Sequence, residues 1–218
     1  MPPDRDTDWS RQLAGGLASM QIELDQHRQR QLLLLLRELL RWNRAYNLTA
    51  TTDPQVVVSR HLLDSLAVLP WLSGRRAIDL GSGAGLPGLP LAIAEPGRHW
   101  DLVDSAGKRV RFMRHAVRRL GLENAAVHHC RIEAFEPAQP ADEMTARAVA
   151  PLQRLLAAAG VLLDAGTRLL LMCDRSQPLE LHDPDARYTL RGLHPLAVPG
   201  QPSSRQLAVF ERNRSHKT

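Results

Sequence analysis

The sequence predicts an α/β fold: a seven-stranded, mostly parallel sheet with helices on both faces and an N-terminal helical extension. Three observations carry that prediction. After residue 72 the chain changes from long helical patterning to short apolar segments. Helical segments alternate with the first five of these, and one apolar segment runs directly into a glycine-rich loop.

The elements follow in order. Residues 1 to 20 carry Pro2, Pro3, Gly15 and Gly16 with little periodicity, which predicts a frayed start leading into a helix. From Gln26 to Tyr46 the spacing is helical. Leu32, Leu35, Leu36, Leu39 and Trp42 share one face, and Leu33, Leu34 and Leu40 widen it enough to predict burial on more than one side. Asp53 as N-cap and Pro54 at the first helical position announce a second helix, expected to reach Leu69 before Pro70. Residues 1–72 are thus read as a helical extension packed on the core, and 73–218 as the main domain.

In that domain strands are predicted at Arg75 to Leu80, His99 to Asp104, Ala125 to His128, Glu143 to Val149, Thr167 to Cys173, Tyr188 to Leu196 and Gln206 to Arg212. Helices are predicted at Leu89 to Glu95, Gly107 to Leu120 and Pro151 to Leu163, with a short piece near Ile132 to Phe135. Pro195, Pro199, Gly200 and Pro202 between the last two strands predict a hairpin rather than another crossover.

Composition narrows the class. A chain of 218 residues suffices for one substantial domain with a short appendage. With 44% apolar and 23% charged residues, disorder throughout is excluded. Lys and Arg outnumber Asp and Glu by 28 to 23, a net charge of +5 that favours an anionic partner, nucleic acid first. The two cysteines, Cys130 and Cys173, have neither a disulfide framework nor metal-ligand spacing, so a reducing compartment and no metal are expected. No apolar stretch follows the charged first ten residues, and the run Leu32 to Leu36 is too short to cross a bilayer. The expectation is a cytoplasmic protein without a membrane partner, and nothing suggests an obligate dimer rather than a monomer.

The strongest local signal is Ala77-Ile78-Asp79-Leu80-Gly81-Ser82-Gly83-Ala84-Gly85-Leu86-Pro87-Gly88. An apolar strand enters a loop with four glycines and then a helix, the arrangement that brings backbone close to a nucleotide cofactor without an intervening Cβ. Gly83, Gly85 and Gly88 satisfy the dinucleotide fingerprint literally, so NAD and S-adenosylmethionine both compete for the loop. Three features favour the methyl donor. Asp79 at the strand end suits the ammonium of its methionine part and would repel a pyrophosphate. The turn begins at Gly81, two residues before the dinucleotide match. The chain also lacks room for the substrate domain of a typical dehydrogenase. Asp104 closes the second strand, about twenty residues beyond the glycines, where a carboxylate holds a ribose diol. It also stands where it could cap the helix starting at Gly107-Lys108-Arg109, and both roles remain open.

With these residues placed, the chain resembles the glucose-inhibited division protein B family, bacterial methyltransferases acting on guanine N7 of 16S ribosomal RNA. The likeness covers residues 38 to 175 and rests on several blocks in order. They are Trp42-Asn43-Arg44-Ala45-Tyr46-Asn47-Leu48-Thr49, His61-Leu62-Leu63-Asp64-Ser65-Leu66, the Asp79 to Pro90 loop, Asp104-Ser105 with Lys108-Arg109 and Phe112, Arg131-Ile132-Glu133 with Phe135, and Arg147-Ala148. The resemblance implies a Rossmann-like class I S-adenosylmethionine methyltransferase whose partner is 16S ribosomal RNA or the small ribosomal subunit. It further implies that Gly81 and Leu86 line the donor pocket, that Ile132 and Glu133 flank the adenine, and that Arg147 closes the site from the fourth strand. By themselves Glu133 and Arg147 would read as a loop acid and a surface cation. The family commonly has a Lys-Gly pair after the fifth strand, where this chain has Met172-Cys173-Asp174-Arg175. Arg175 is a candidate for the missing cation, or the contact is absent.

No general base is assigned, because guanine N7 keeps an unshared lone pair at neutral pH and the site need only orient the reactants and exclude water. For the RNA, the helix from Gly107 to Leu120 sets Val110, Met113, Val117 and Leu120 inward and Lys108, Arg111, Arg114, His115 and Arg118 outward. That basic face suits phosphates, but it also suits plain solvent. Asn47 and His61 read as a cap or a satisfied buried group rather than as catalytic residues. Trp42 and Tyr46 read as packing before base stacking. A nicotinamide-dependent oxidoreductase and a noncatalytic RNA-binding module are the alternatives that stay open.

Overall fold

The computed structural model describes residues 5–147, 152–160, 162, 166–175, 188–201 and 204–213. Its sheet consists of β1 (Arg76–Leu80), β2 (His99–Asp104), β3 (Ala125–His129), β4 (Glu143–Arg147), β5 (Arg168–Asp174), β6 (Tyr188–Pro195) and β7 (Arg205–Arg212). Their spatial order is β3-β2-β1-β4-β5-β7-β6. Strands β1 to β5 run parallel, and β7 lies antiparallel between β5 and β6. The chain steps outward from β1 to β2 and β3, then returns to lay β4 on the other side of β1. The carboxyl ends of β1 and β4 therefore form the switch point where such sheets hold their ligands. Leu80 is level with Val103 on one side and with Ala146 on the other. The next residues of the three strands, Gly81, Asp104 and Arg147, consequently arrive side by side.

Alternation sorts the strand side chains between two cores, because successive residues point to opposite faces. Ala77, Leu102, Leu170 and Met172 join one core, and Ile78, Leu80, Val103, Leu169 and Leu171 the other. The first is shared with α1 (Arg5–Ser19), α2 (Gln26–Tyr46), α4 (Gly88–Ala94) and α5 (Gly107–Leu120), the second with α6 (Leu152–Ala159). In α2, Leu32, Leu35, Leu36 and Leu39 are each 1% exposed or less, and burial of each favours folding by roughly 1.5–3 kcal/mol. Asp25 caps that helix by accepting the Arg28 N–H at 2.8 Å, and Asn47 ends it in the left-handed region.

At the amino ends of the strands, Glu143 is fully buried. It accepts from Ser73 N at 2.6 Å, Ser73 Oγ at 2.8 Å and Gly74 N at 3.2 Å, and it also pairs with Arg168. Asp142 accepts from Arg75 N and Arg76 N at 2.7 and 2.9 Å, and those bonds hold its carboxyl below the usual range. The two acids fasten the start of β1 to β4.

Several elements depart from expectation. The expected N-terminal helix forms but begins as early as Arg5, and at Gly16 within it Leu63 packs too closely for a Cβ. Asp53 does not cap the next helix. Its side chain accepts Gln55 N in a turn, and the helical run begins only at residues 57–58. That run is a wide π-type turn, Val58–Leu63, continuing into α3 (Asp64–Leu66) and a 3-10 turn at Leu69–Trp71. β4 is assigned as far as Arg147, and the predicted Ala148 and Val149 lie outside the described residues. The final two strands form the expected hairpin, but the later one, β7, inserts between β5 and β6.

Candidate functional site

The loop after β1 is built from backbone conformations that favour glycine. Gly81, Gly83 and Gly85 have φ of 61°, 60° and 75°, a region costly for residues with a Cβ. Ser82 N donates to Val103 O at 3.0 Å and Leu86 N to Ser82 O at 2.9 Å, which folds the loop back over the strand ends. A Cβ at Gly83 would meet nothing nearer than Gly81 O at 3.9 Å, so the loop's open side is free for a ligand to approach the backbone.

Over this loop lies a cavity of about 560 Å³, within the usual range for a small-molecule site. Leu48 and Thr49 enter from the turn after α2; Gly81 to Ala84 and Leu86 from the loop; Asp104, Ser105 and Arg109 from β2 and the start of α5. The remaining wall is Cys130 to Glu133 after β3, with Arg147 at the end of β4. The structure thus brings together Gly81, Gly83, Leu86, Asp104, Ile132, Glu133 and Arg147. It leaves out Asp79, expected to meet the donor's ammonium directly or through water. That carboxylate is 1% exposed beneath the loop, where Oδ2 accepts Gly88 N at 3.0 Å and Oδ1 accepts Thr145 Oγ1–H at 2.8 Å. An added Cβ at Gly88 would stand 2.7 Å from Asp79 Oδ2. Burial pushes Asp79 up to about 6 despite these bonds.

Asp104 faces the cavity but does not cap α5, whose N-cap is Ala106 with no side-chain cap bond; it holds the two turns on either side of it instead. Its Oδ2 accepts Gly83 N at 2.8 Å, its Oδ1 accepts Ala106 N at 2.8 Å, and Arg109 Nη1 stands 3.5 Å from Oδ2. Arg147 is set by a buried acid: its Nη1 lies 3.1 Å from Asp64 Oδ2 and donates to Arg60 O at 3.2 Å. Arg205 grips the same carboxylate with two bonds of 2.8 Å. Burial lowers the basicity of Arg147, while Asp64 favours its charged form. Arg175 is exposed and is not among the residues that line the cavity.

Thr49, Ser105, Arg109, Cys130 and Arg131 line the cavity without having been singled out. All but Cys130 stand in the motif blocks, but no local pattern shows that these sequence-distant turns meet. Asn43 Oδ1 accepts Thr49 N at 2.8 Å. His61 Nε2 lies 3.2 Å from Thr49 Oγ1 and 3.1 Å from Thr51 O, whereas Nδ1 has no hydrogen-bond partner among the described residues. His61 is only 3% exposed, and burial holds its pKa down to about 4, so the ring is neutral near pH 7. Asn47 is a cap, as expected. Trp42 packs in the seam between α2 and α5, with ring centroids 5.8 Å from Phe112 and 5.0 Å from His115. Tyr46 remains 38% exposed. Among the described residues, no helix is long and apolar enough to cross a membrane, and no group of three His, Cys, Asp or Glu is arranged to hold a metal.

Residues 28–208 match the family model described as rRNA small subunit methyltransferase G. The chain is 41% identical over 209 residues to the ribosomal RNA small subunit methyltransferase G of Marinobacter nauticus, covering 96% of this chain and 98% of that protein. It is 48% identical over 197 residues to the protein of the same name from Stenotrophomonas maltophilia, covering 90% and 92%. Among solved structures, a variant of MtNAS in complex with S-adenosylmethionine aligns with a TM-score of 0.57 at 15% identity, over 85% of this chain and 73% of that one. A ribosomal-protein methylase from Lactobacillus delbrueckii subsp. bulgaricus aligns with a TM-score of 0.55 at 13% identity, over 75% and 81%. At such identities these two structures establish the shared Rossmann-like fold.

Proposed function

The chain belongs to the rRNA small subunit methyltransferase G family, and we propose that it moves the methyl group of S-adenosylmethionine to N7 of a guanine in 16S ribosomal RNA. The observation that carries this reading is the convergence of Gly81, Gly83, Leu86, Asp104, Ile132, Glu133 and Arg147 on one cavity at the sheet's switch point. These residues fit the donor. The glycine loop admits its methionine part, Asp104 offers carboxylate oxygens to ribose hydroxyls, Ile132 gives an apolar wall for adenine, and Glu133 stands beside it.

S-adenosylmethionine supplies a methyl group already activated on a sulfonium sulfur. The chain's own residues orient and enclose. Guanine N7 attacks with its own lone pair, so no side chain need take a proton, and the rate gain comes from alignment and exclusion of water. Arg147, fixed by Asp64, brings a cation to the carboxyl end of β4. Asp79 acts through the loop, bonding Gly88 from below. Residues 1–72 serve as an extension that completes the site, since Leu48 and Thr49 form part of its wall. The target base is read unstacked, as specific RNA recognition generally requires. The cytoplasm is the compartment this reading implies.

The test is methyl transfer from labelled S-adenosylmethionine to undermethylated small ribosomal subunits and to naked 16S RNA, with the product mapped by cleavage at N7-methylguanine. Label at a single guanine is expected. Label on another atom, or none despite demonstrated donor binding, would overturn the assignment and favour a noncatalytic RNA-binding role.

A further inference from the structure

The chain's positive charge is concentrated on two neighbouring helices. α2 and α5 together carry eleven Lys and Arg against one acid, Glu38, a net +10. The whole chain is +5, so the remainder is net −5. The two helices pack antiparallel. Gln31 Nε2 donates to Leu120 O at 2.9 Å at one end of the seam, Glu38 meets His115 at 2.8 Å in the middle, and Arg111 lies 5.8 Å over the Tyr46 ring at the other end. The only carboxylate on these helices is thus turned into the seam and is 8% exposed.

Arg37, Arg41 and Arg44 on α2 and Arg111, Arg114 and Arg118 on α5 are all exposed. At about 100° per residue both sets are rotated from the seam in the same sense, which for an antiparallel pair places them on one side of it. Tyr46, stacked on Trp42 at 5.3 Å, stands two residues before the cavity-lining Leu48 and Thr49. Arg109 of α5 lines the cavity as well. The ridge therefore leads to the cavity mouth.

We propose that the α2–α5 ridge is the docking surface for the phosphate backbone of the substrate RNA, with Tyr46 at its cavity end receiving an unpaired base. This rests on the reading of the chain as an RNA methyltransferase. Clustered cations give the sequence-independent part of RNA affinity by releasing counterions, and Tyr46, backed by Trp42, offers a stacking platform to a splayed base when the exposed Arg111 guanidinium swings off its ring towards a phosphate.

The test compares the wild type with a ridge variant, Arg111→Gln with Arg114→Gln and Arg118→Gln, and with a control, Arg11→Gln with Arg154→Gln and Arg191→Gln. The control removes equal charge elsewhere. Binding to naked 16S RNA is measured across a salt series, with S-adenosylmethionine affinity and melting temperature as checks on folding. The ridge variant is expected to lose at least about tenfold in RNA affinity, with a log-log salt slope shallower by roughly two. Donor affinity should hold, and the control should bind RNA like the wild type. Equal losses in ridge and control variants, unchanged binding by the ridge variant, or a wild type that does not bind the RNA would each overturn the ridge. For stacking, Tyr46→Phe should preserve KM for RNA and Tyr46→Ala should raise it several-fold; indistinguishable variants overturn that part. A wild type that binds 16S RNA along the ridge but methylates nothing on it would sink the enzymatic reading and leave the surface standing.

Discussion

His61 and Asp79 are buried ionisable groups with opposite effects on acid stability. His61 is held down to about 4 by burial, against about 6.5 in an unfolded chain. As pH falls through that interval the unfolded chain binds a proton that the native ring refuses, so stability is lost. Asp79, raised to about 6 by burial, binds its proton earlier when folded, so stability is gained as pH falls from 6 towards 4. His61→Gln removes only the first effect. The stability gap between wild type and variant should therefore narrow by about 3 kcal/mol between pH 7 and pH 4, measured by urea unfolding across that range; a constant gap would mean that His61 does not titrate as its burial requires. At Asp104, replacement by Ala strands the N–H groups of Gly83 and Ala106 and removes the acceptor offered to the ribose. Donor affinity by calorimetry should fall at least about tenfold, with Asp104→Asn intermediate. Asp104 was legible because its distance from the glycines is a local spacing. The inward turn of Asp79 was not, because it depends on Thr145, 66 residues away.

The strands carry the division between stability and chemistry. Glu143, at the amino end of β4, is enclosed by Ser73, Gly74 and Arg168 and touches nothing in the cavity at the other end. Glu143→Ala leaves Arg168 without that partner and should lower unfolding stability by about 3–5 kcal/mol. S-adenosylmethionine affinity, measured on folded protein at low temperature, should stay unchanged, and a parallel loss of affinity would show that the strand ends are coupled. Regular elements were legible wherever one face is buried: the leucines of α2 recur at helical spacing, and β1 to β5 alternate or run apolar. The π-type turn at Val58–Leu63 was not. Its carbonyls at His61 and Arg60 are taken by Ser65 Oγ at 2.6 Å and by Arg147 Nη1 at 3.2 Å, and the second of these partners comes from β4. Asp53 and Pro54 carry an ordinary N-terminal signal, yet the native chain places them in a turn, with Pro54 O bonded to Trp9 Nε1 at 3.0 Å.

For the molecule as a whole, donor binding should appear as stabilisation of the folded state. S-adenosylmethionine at about a hundred times its Kd should add about 2.7 kcal/mol, seen as a raised melting temperature, while NAD at the same concentration should leave it unmoved; equal shifts would restore the dinucleotide reading of the glycine loop. The sequence by itself determined the α/β architecture, the glycine loop and the position of the basic helix, because hydrophobic period, backbone freedom at glycine and local charge are written in neighbouring residues. The glycine loop and its spacing also pointed to Gly81, Leu86 and Asp104, whereas Ile132, Glu133 and Arg147 came only through the family resemblance. Only the tertiary structure decided that Thr49 and Arg109 face the same cavity, that Asp64 holds both Arg147 and Arg205, that β7 inserts beside β5, and that the cations of α2 join those of α5. Each of these depends on contacts between segments far apart in the chain, where burial and hydrogen-bond satisfaction, rather than local preference, select the partner.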